Sequence, residues 1–224
     1  MRDNTERLRP PRFLWVPFEL GRPFGAPGDP AFQTKVLRAL LALFEREDGP
    51  VILEDFPEDA PGGAPDDGSG WVCPISLPKP EPETDSAILA AVLQEIDTLA
   101  PWYELACETR DRTTFGVCGL EVDAVAAFLN DLFETTPANP VPDTSLGQAL
   151  RLASEDLRNW YLEAATARPG GASSRALADW FWSETAAGAM LLALQPVCAK
   201  SADESVRHVA ESQFVPRAQR HRLD

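Results

Sequence analysis

Nucleophilic, acid–base and metal chemistry at a protein site draws most often on histidine, cysteine and carboxylates, and this chain offers them unequally. It has two histidines, His208 on a terminal helical pattern and His221 in a basic tail. A Ser-His-Asp or Cys-His catalytic arrangement has to recruit one of these two, and a zinc site built on histidine meets the same obstacle. The four cysteines, Cys73, Cys107, Cys118 and Cys198, form no C-x-x-C pair and fit no zinc-finger spacing. Cys73, in WVCP, is the weak candidate for a reactive thiol, because it lies in an otherwise polar loop. No Lys, Arg or His stands near it in sequence to lower its pKa. Cys107, Cys118 and Cys198 read as packing residues.

Carboxylates are more plentiful. Glu155, Asp156 and Glu163 fall on one helical pattern, and Asp179 and Glu184 on the next. Asp156 and Glu163 are two helical turns apart and share a face. Inward carboxylates on facing helices build di-iron sites, but those sites also use Glu-x-x-His, and neither helix contains histidine. The plainer reading is a solvated face with ion pairs to Arg151, Arg158 and Arg175. No metal and no cofactor is expected.

The loop GRPFGAPGD feeds a helix start, the general layout of an anion site. Asp29 puts a carboxylate at the same helix end, and Pro23, Pro27 and Pro30 remove N–H donors. The loop matches neither G-x-G-x-x-G nor the P-loop. A shaped docking loop fits it better than a phosphate cradle.

The elements that position these residues follow from periodicity and turn chemistry. Residues 1–12 read as polar and extended. Phe13–Leu20 reads as a strand, with Pro17 marking an edge or an end. Asp29 is the expected N-cap and Pro30 the first residue of a helix carrying Phe32, Val36, Leu37, Leu40, Leu41, Leu43 and Phe44. Gly49-Pro50 stops it, and Val51–Leu53 reads as a short strand. Residues 57–87 form a Pro/Gly/Asp-rich loop interrupted by Trp71–Leu77. Asp85–Glu108 reads as a helix that Pro101 kinks or splits. Arg112–Leu120 alternates like a strand, and Glu121–Glu134 is helical. Ser145–Ala167 and Ser173–Ala199 read as two long helices in an antiparallel hairpin around the turn Arg168–Ala172. Asp203–Gln213 is the last helix. The expected architecture is mainly α with a small α/β N-terminal unit and a helical-bundle body containing that hairpin. The divisions are 1–60, an incomplete α/β docking segment; 61–84, a Pro/Gly-rich loop; and 85–224, a mainly helical domain.

The hairpin also carries Trp160, Tyr161, Trp180, Phe181 and Trp182. Three consecutive aromatic residues on a helix cannot all point one way, so at least one of the last three is expected to leave the core. Trp180 and Trp182 are therefore candidate protein-contact residues. The net charge of −15 over 224 residues disfavours nucleic acid or an anionic membrane as partner. The N-terminus lacks the apolar run of a secretory signal, and no stretch reaches the roughly 20 apolar residues of a span. A cytoplasmic location with reduced thiols is expected.

One stretch has a wider likeness. The segment ERLRPPRFLWVPFELGRPFGAPGDPAFQTKVLRALLALFEREDGPVILEDFPEDAP, above all LGRPFGAPGDPAFQ and LEDFPED, resembles the C-terminal part of the glycine/sarcosine/betaine/D-proline reductase family, component B type. APWYELA, RTTFGV, SEDLRNWYLEAA and ALADWFWSETAAG resemble the helical region accompanying its selenium-free relatives. The resemblance implies reductive chemistry at a selenocysteine or cysteine motif on an α/β core that precedes this segment, so no catalytic residue carries over. It implies an accessory subunit that docks on a separate redox core, as a homo- or hetero-oligomer. Arg22, Asp29, Gln33, Glu54 and Asp55 are the polar residues expected at that contact. Two other readings stand beside it. One is a self-sufficient helical enzyme or ligand-binding protein using Cys73 or the hairpin carboxylates, and the other is a scaffold.

Overall fold

The computed structural model describes residues 2–18, 24–25, 28–58, 77, 85–167 and 174–223. It is mainly helical with one two-stranded parallel sheet. The chain divides into two compact units, Met1–Gly68 and Ser69–Asp224.

The first unit opens with helix α1 (Arg2–Leu8), where extended chain was expected. Arg2 explains it by pairing with Glu6 one turn ahead and with both carboxylate oxygens of Asp55, at 3.0 and 3.1 Å. The helix ends at Arg9, which is left-handed at φ 50, and Pro10 and Pro11 prevent its resumption. Strand β1 (Arg12–Trp15) is shorter than the expected Phe13–Leu20. Helix α2 (Pro30–Ala42) starts as the sequence indicates, with Pro30 in the first turn and the Asp29 carboxylate accepting from the Phe32 amide at 3.0 Å. Strand β2 (Ile52–Asp55) pairs parallel with β1 from Arg12↔Ile52 to Trp15↔Asp55. The unit is thus one β-α-β turn. Its core is Phe32, Val36 and Phe56, backed by Leu14, Val16, Phe18 and Ala39. The rings of Phe18, Phe32 and Phe56 sit 5.5–6.0 Å apart in tilted and edge-on pairs.

The second unit is built on α3 (Asp85–Arg110), α4 (Val122–Asp131), α5 (Leu146–Thr166), α6 (Ser174–Glu184), α7 (Ala186–Cys198) and α8 (Glu204–Ser212), closed by a 3₁₀ helix at Arg217–Arg222. Helix α5 is central and packs against each of the other five α-helices. Its small and large apolar residues, Ala149, Leu150, Ala153, Leu157, Trp160, Tyr161 and Ala164, are all buried. Two glycines permit close helix approach. A Cβ on Gly147 of α5 would stand 2.2 Å from the Ser205 carbonyl oxygen on α8. One on Gly188 of α7 would stand 2.0 Å from the Phe181 carbonyl oxygen on α6.

Three expectations change here. Helix α3 runs unbroken through Pro101, which lies on its exposed side. The single helix expected over Ser173–Ala199 is two, α6 and α7, separated at Thr185. The Thr185 hydroxyl donates to the Phe181 carbonyl at 2.7 Å and accepts from the Gly188 amide at 2.9 Å, ending one helix and capping the next. Arg112–Leu120 is not a strand but an irregular segment, with Gly116 and Gly119 at φ 96 and 76. Helices α5 and α6 pack together, while the turn Arg168–Ala172 expected between them lies outside the described residues.

Candidate functional site

Two of the expected positions, Arg22 and Cys73, lie outside the described residues. The other candidate contact residues of the first unit are engaged within it. Asp29 caps α2, Asp55 holds Arg2, and Glu54 pairs with Arg46 at 2.7 Å. Gln33 is half-buried on α2. The acids at the end of β2 remain exposed, and such surface pairs exchange readily with water or a partner.

A different surface of α2 stands out. Phe32, Val36 and Leu43 face inward, but the helix's apolar arc extends well beyond them. Leu37 and Leu41, and Phe44 in the turn that continues the helix, follow at i, i+4 and i+7, so they form one stripe. They are 41%, 59% and 70% exposed. The Arg12 guanidinium lies over the Phe44 ring, 5.9 Å from its centroid, and donates to the Leu43 carbonyl at 2.7 Å. Arginine therefore fixes the end of the helix that carries the most exposed ring. The stripe was legible in the heptad-like spacing of the sequence, but its exposure was not.

In the second unit the hairpin carboxylates hold backbone rather than metal. Glu163 accepts from the Thr114 amide and hydroxyl at 2.7 and 2.6 Å with one oxygen, and from the Thr113 hydroxyl at 2.7 Å with the other. Burial pushes this carboxyl upward, but the hydrogen bonds from Thr114 and Thr113 and the charge of Arg110 outweigh it and hold it below the usual range. Two turns earlier on the same face, buried Asp156 accepts from the Cys118 amide at 2.8 Å. These two anchors replace ladder hydrogen bonds and explain why Arg112–Leu120 is not a strand. The expected solvated face is therefore only partly met. Glu155 pairs with Arg151 at 2.9 Å, whereas Asp156 is in the core. Asp179 accepts from Gln219 at 2.9 Å and stands 3.4 Å from Arg222. Glu184 is exposed. Among the described residues no group of three or more His, Cys, Asp or Glu is placed to hold a metal ion, and no helix is long and apolar enough to cross a membrane.

Trp180, Phe181 and Trp182 are all buried, at 2%, 0% and 3% exposure, so none leaves the core as expected. The reason is that α6 lies among several neighbours. Phe181 and Trp180 reach Tyr161 on α5, Trp182 stacks edge-on to Phe181 at 5.2 Å, and α7 packs alongside. The hairpin tryptophans are structural within this chain. Cys118 and Cys198 are buried, and burial first of all pushes their thiols up to about 11 and about 12. Such thiols are poor nucleophiles at neutral pH.

The sequence reading missed Glu95. It sits on the buried face of α3 between Val92 and Leu99 and is 1% exposed. Its two oxygens accept from the amides of Ala186 and Ala187, at 2.7 and 3.3 Å, and from the Tyr161 hydroxyl at 3.0 Å. It thus caps α7 from another helix, where the positive end of the helix dipole favours an anion. Burial raises its pKa to about 6 against the pull of those three donors. A charged residue within the 88-92-96-99 apolar stripe was the signal available in the sequence.

Two surface depressions are lined by residues of this unit. One, of about 530 Å³, is lined by the turn after α4 and by the end of α7 and the turn that follows it, with Thr135, Lys200 and Ser201 among its polar residues. The other, of about 300 Å³, lies between the end of α3 and α5 and is lined by Arg110, Arg112, Thr114, Asn159, Leu162, Glu163 and Thr166. The chain matches no protein-family model, no curated protein and no solved structure.

Proposed function

We propose that this chain is a docking subunit that acts with a protein partner, and that its N-terminal β-α-β unit carries the contact. The observation that supports this is the exposed Leu37–Leu41–Phe44 stripe on α2. A stripe of this kind with a cationic end is the composition of an interface anchor rather than of an ordinary solvated helix. The sheet beneath it has two strands, fewer than a stable sheet normally needs, and among the described residues the outer edges of β1 and β2 are unpaired. A partner that adds a layer over α2 or a strand beside the sheet would complete the unit. The partner we assign is the α/β core of a reductase-like enzyme. That choice rests on the resemblance of LGRPFGAPGDPAFQ and LEDFPED alone.

Co-expression with such a core, followed by size-exclusion chromatography, tests the reading. The wild-type chain should co-elute with the core, and the double variant Leu41→Glu, Phe44→Glu should elute alone while keeping its helical circular dichroism. A wild-type chain that elutes alone, or a double variant that still co-elutes, contradicts it.

A further inference from the structure

The cleft between the end of α3 and α5 has a chemistry unlike the rest of this acidic chain. Helix α3 ends at Arg110, and Asp111 turns the chain in the left-handed region, at φ 51, with its amide still bonded to the Cys107 carbonyl at 2.8 Å. That turn lets both Arg110 and Arg112 line one cavity of about 300 Å³. Across the cavity, α5 presents Asn159, Leu162, Glu163 and Thr166, which share a helix face by their i, i+3, i+4 and i+7 spacing.

The carboxylate in this cleft is hydrogen-bonded to the loop. Glu163 receives three hydrogen bonds from Thr113 and Thr114; it feels the charge of Arg110 but makes no direct ion pair with either arginine among the described residues. Arg110 donates to the Thr166 hydroxyl, which ties it to the α5 wall. Arg112 has no hydrogen-bond or ion-pair partner among the described residues, and the Asn159 amide has none either. Two guanidinium groups in one small cleft repel each other, and an anion between them removes that cost. Planar guanidinium forks match carboxylate and phosphate oxygens two at a time. Leu162 gives the lining an apolar part, and the volume is at the small end of ligand pockets.

We infer that this cleft is a binding site for a small oxyanion, an organic carboxylate or a phosphate, held by Arg110 and Arg112 with Asn159 as a supplementary donor. The excess of negative charge elsewhere does not oppose this. It repels large polyanions, whereas a small ion meets the local field of the two arginines, since screening confines the distant charges to about a Debye length. The inference is independent of the docking role of the first unit, as it concerns residues of the helical body alone.

Isothermal titration of the full chain with succinate and with inorganic phosphate, each against sodium chloride at matched ionic strength, tests it. At least one probe should bind saturably, and the one that does identifies the oxyanion class. Arg112→Ala should weaken that binding roughly tenfold or more, the loss expected for one charge-assisted hydrogen-bond pair. Arg112→Lys should fall in between. Arg112 makes no contact the fold depends on, so the circular dichroism of both variants should be unchanged. Failure of both probes to saturate by about 10 mM, or unchanged binding in Arg112→Ala, overturns the site.

Discussion

Helices α2 and α6 are of similar length and similarly rich in large apolar residues, yet the molecule treats them differently. On α6, Trp180, Phe181 and Trp182 are buried although they point in different directions, because α5 and α7 lie against it. Along α2 and the turn after it, Leu37, Leu41 and Phe44 are left exposed, because among the described residues its unit offers a two-stranded sheet and a small Phe32–Val36–Phe56 core. Composition does not decide which of the two is an interface. The number of layers packed around each helix does. Tryptophans are the usual interface anchors, and here they are core, while a plain leucine–phenylalanine stripe is the free surface.

The most severe way to test the buried side of this contrast is to press α6 and α7 apart. Gly188→Ala places a Cβ 2.0 Å from a backbone oxygen that no side-chain rotation can relieve. Overpacking against backbone is expected to cost about 3 kcal/mol or more and to leave the helical body molten or unfolded. Chemical denaturation followed by tryptophan fluorescence reads this, since Trp160, Trp180 and Trp182 all report on the body.

Next in size is Glu95→Ala. It strands the Ala186 and Ala187 amides and the Tyr161 hydroxyl in the core, and is expected to destabilise by about 2–4 kcal/mol in the same assay. Glu95→Gln keeps the shape and an acceptor and should be far milder.

The glutamine variant also isolates a pH effect. The folded Glu95 carboxyl titrates near 6, above its ordinary value of 4.5. Its contribution to stability is fully present below about pH 4.5 and is lost as the pH rises through 6. The difference amounts to about 2 kcal/mol. The stability of the wild type relative to Glu95→Gln should therefore fall across that window. Glu163 has the opposite sign. Its folded value lies below the ordinary one, so its contribution is present above the ordinary carboxylate range and is lost as the pH falls below it. A Glu163→Gln comparison should show the reverse slope.

How much of this was readable from the sequence differs by element. The start of α2 was legible, with Asp29 capping as its sequence indicates, and the helices expected from Ser145 and Asp203 begin with those residues as their caps. The apolar period of α3, carried by Ile88, Leu89, Val92, Ile96 and Leu99, likewise identified its core face. Several failures come from hydrogen bonds that periodicity does not show, and the buried Trp180 and Trp182 come from helices packed around α6. Arg112–Leu120 alternates like a strand, but Glu163 and Asp156 on α5 occupy its amides. The break at Thr185 combines the local cap of its own hydroxyl with remote Glu95, which receives the amides of Ala186 and Ala187. In the candidate sites, the α2 stripe was visible as spacing and invisible as surface, because exposure depends on how many layers exist. The Arg110–Arg112 cleft had no signal beyond two arginines near a helix end, because it is formed by the turn at Asp111.

The smallest expected stability effect is on the exposed side of the contrast. Leu41→Ser and Phe44→Ser, which remove apolar area that already faces water, should shift stability by no more than about 0.5 kcal/mol. The same changes should abolish partner binding if the stripe is the anchor.

Amide hydrogen exchange of the chain alone and in complex with a reductase-like core tests the central claim most directly. The account predicts new protection over α2 and along β1 and β2, with α6 and α7 unchanged because Trp180, Phe181 and Trp182 of the one and Met190, Leu191 and Leu194 of the other are already enclosed. Protection that appears over α6 and α7 while α2 exchanges as before would contradict it.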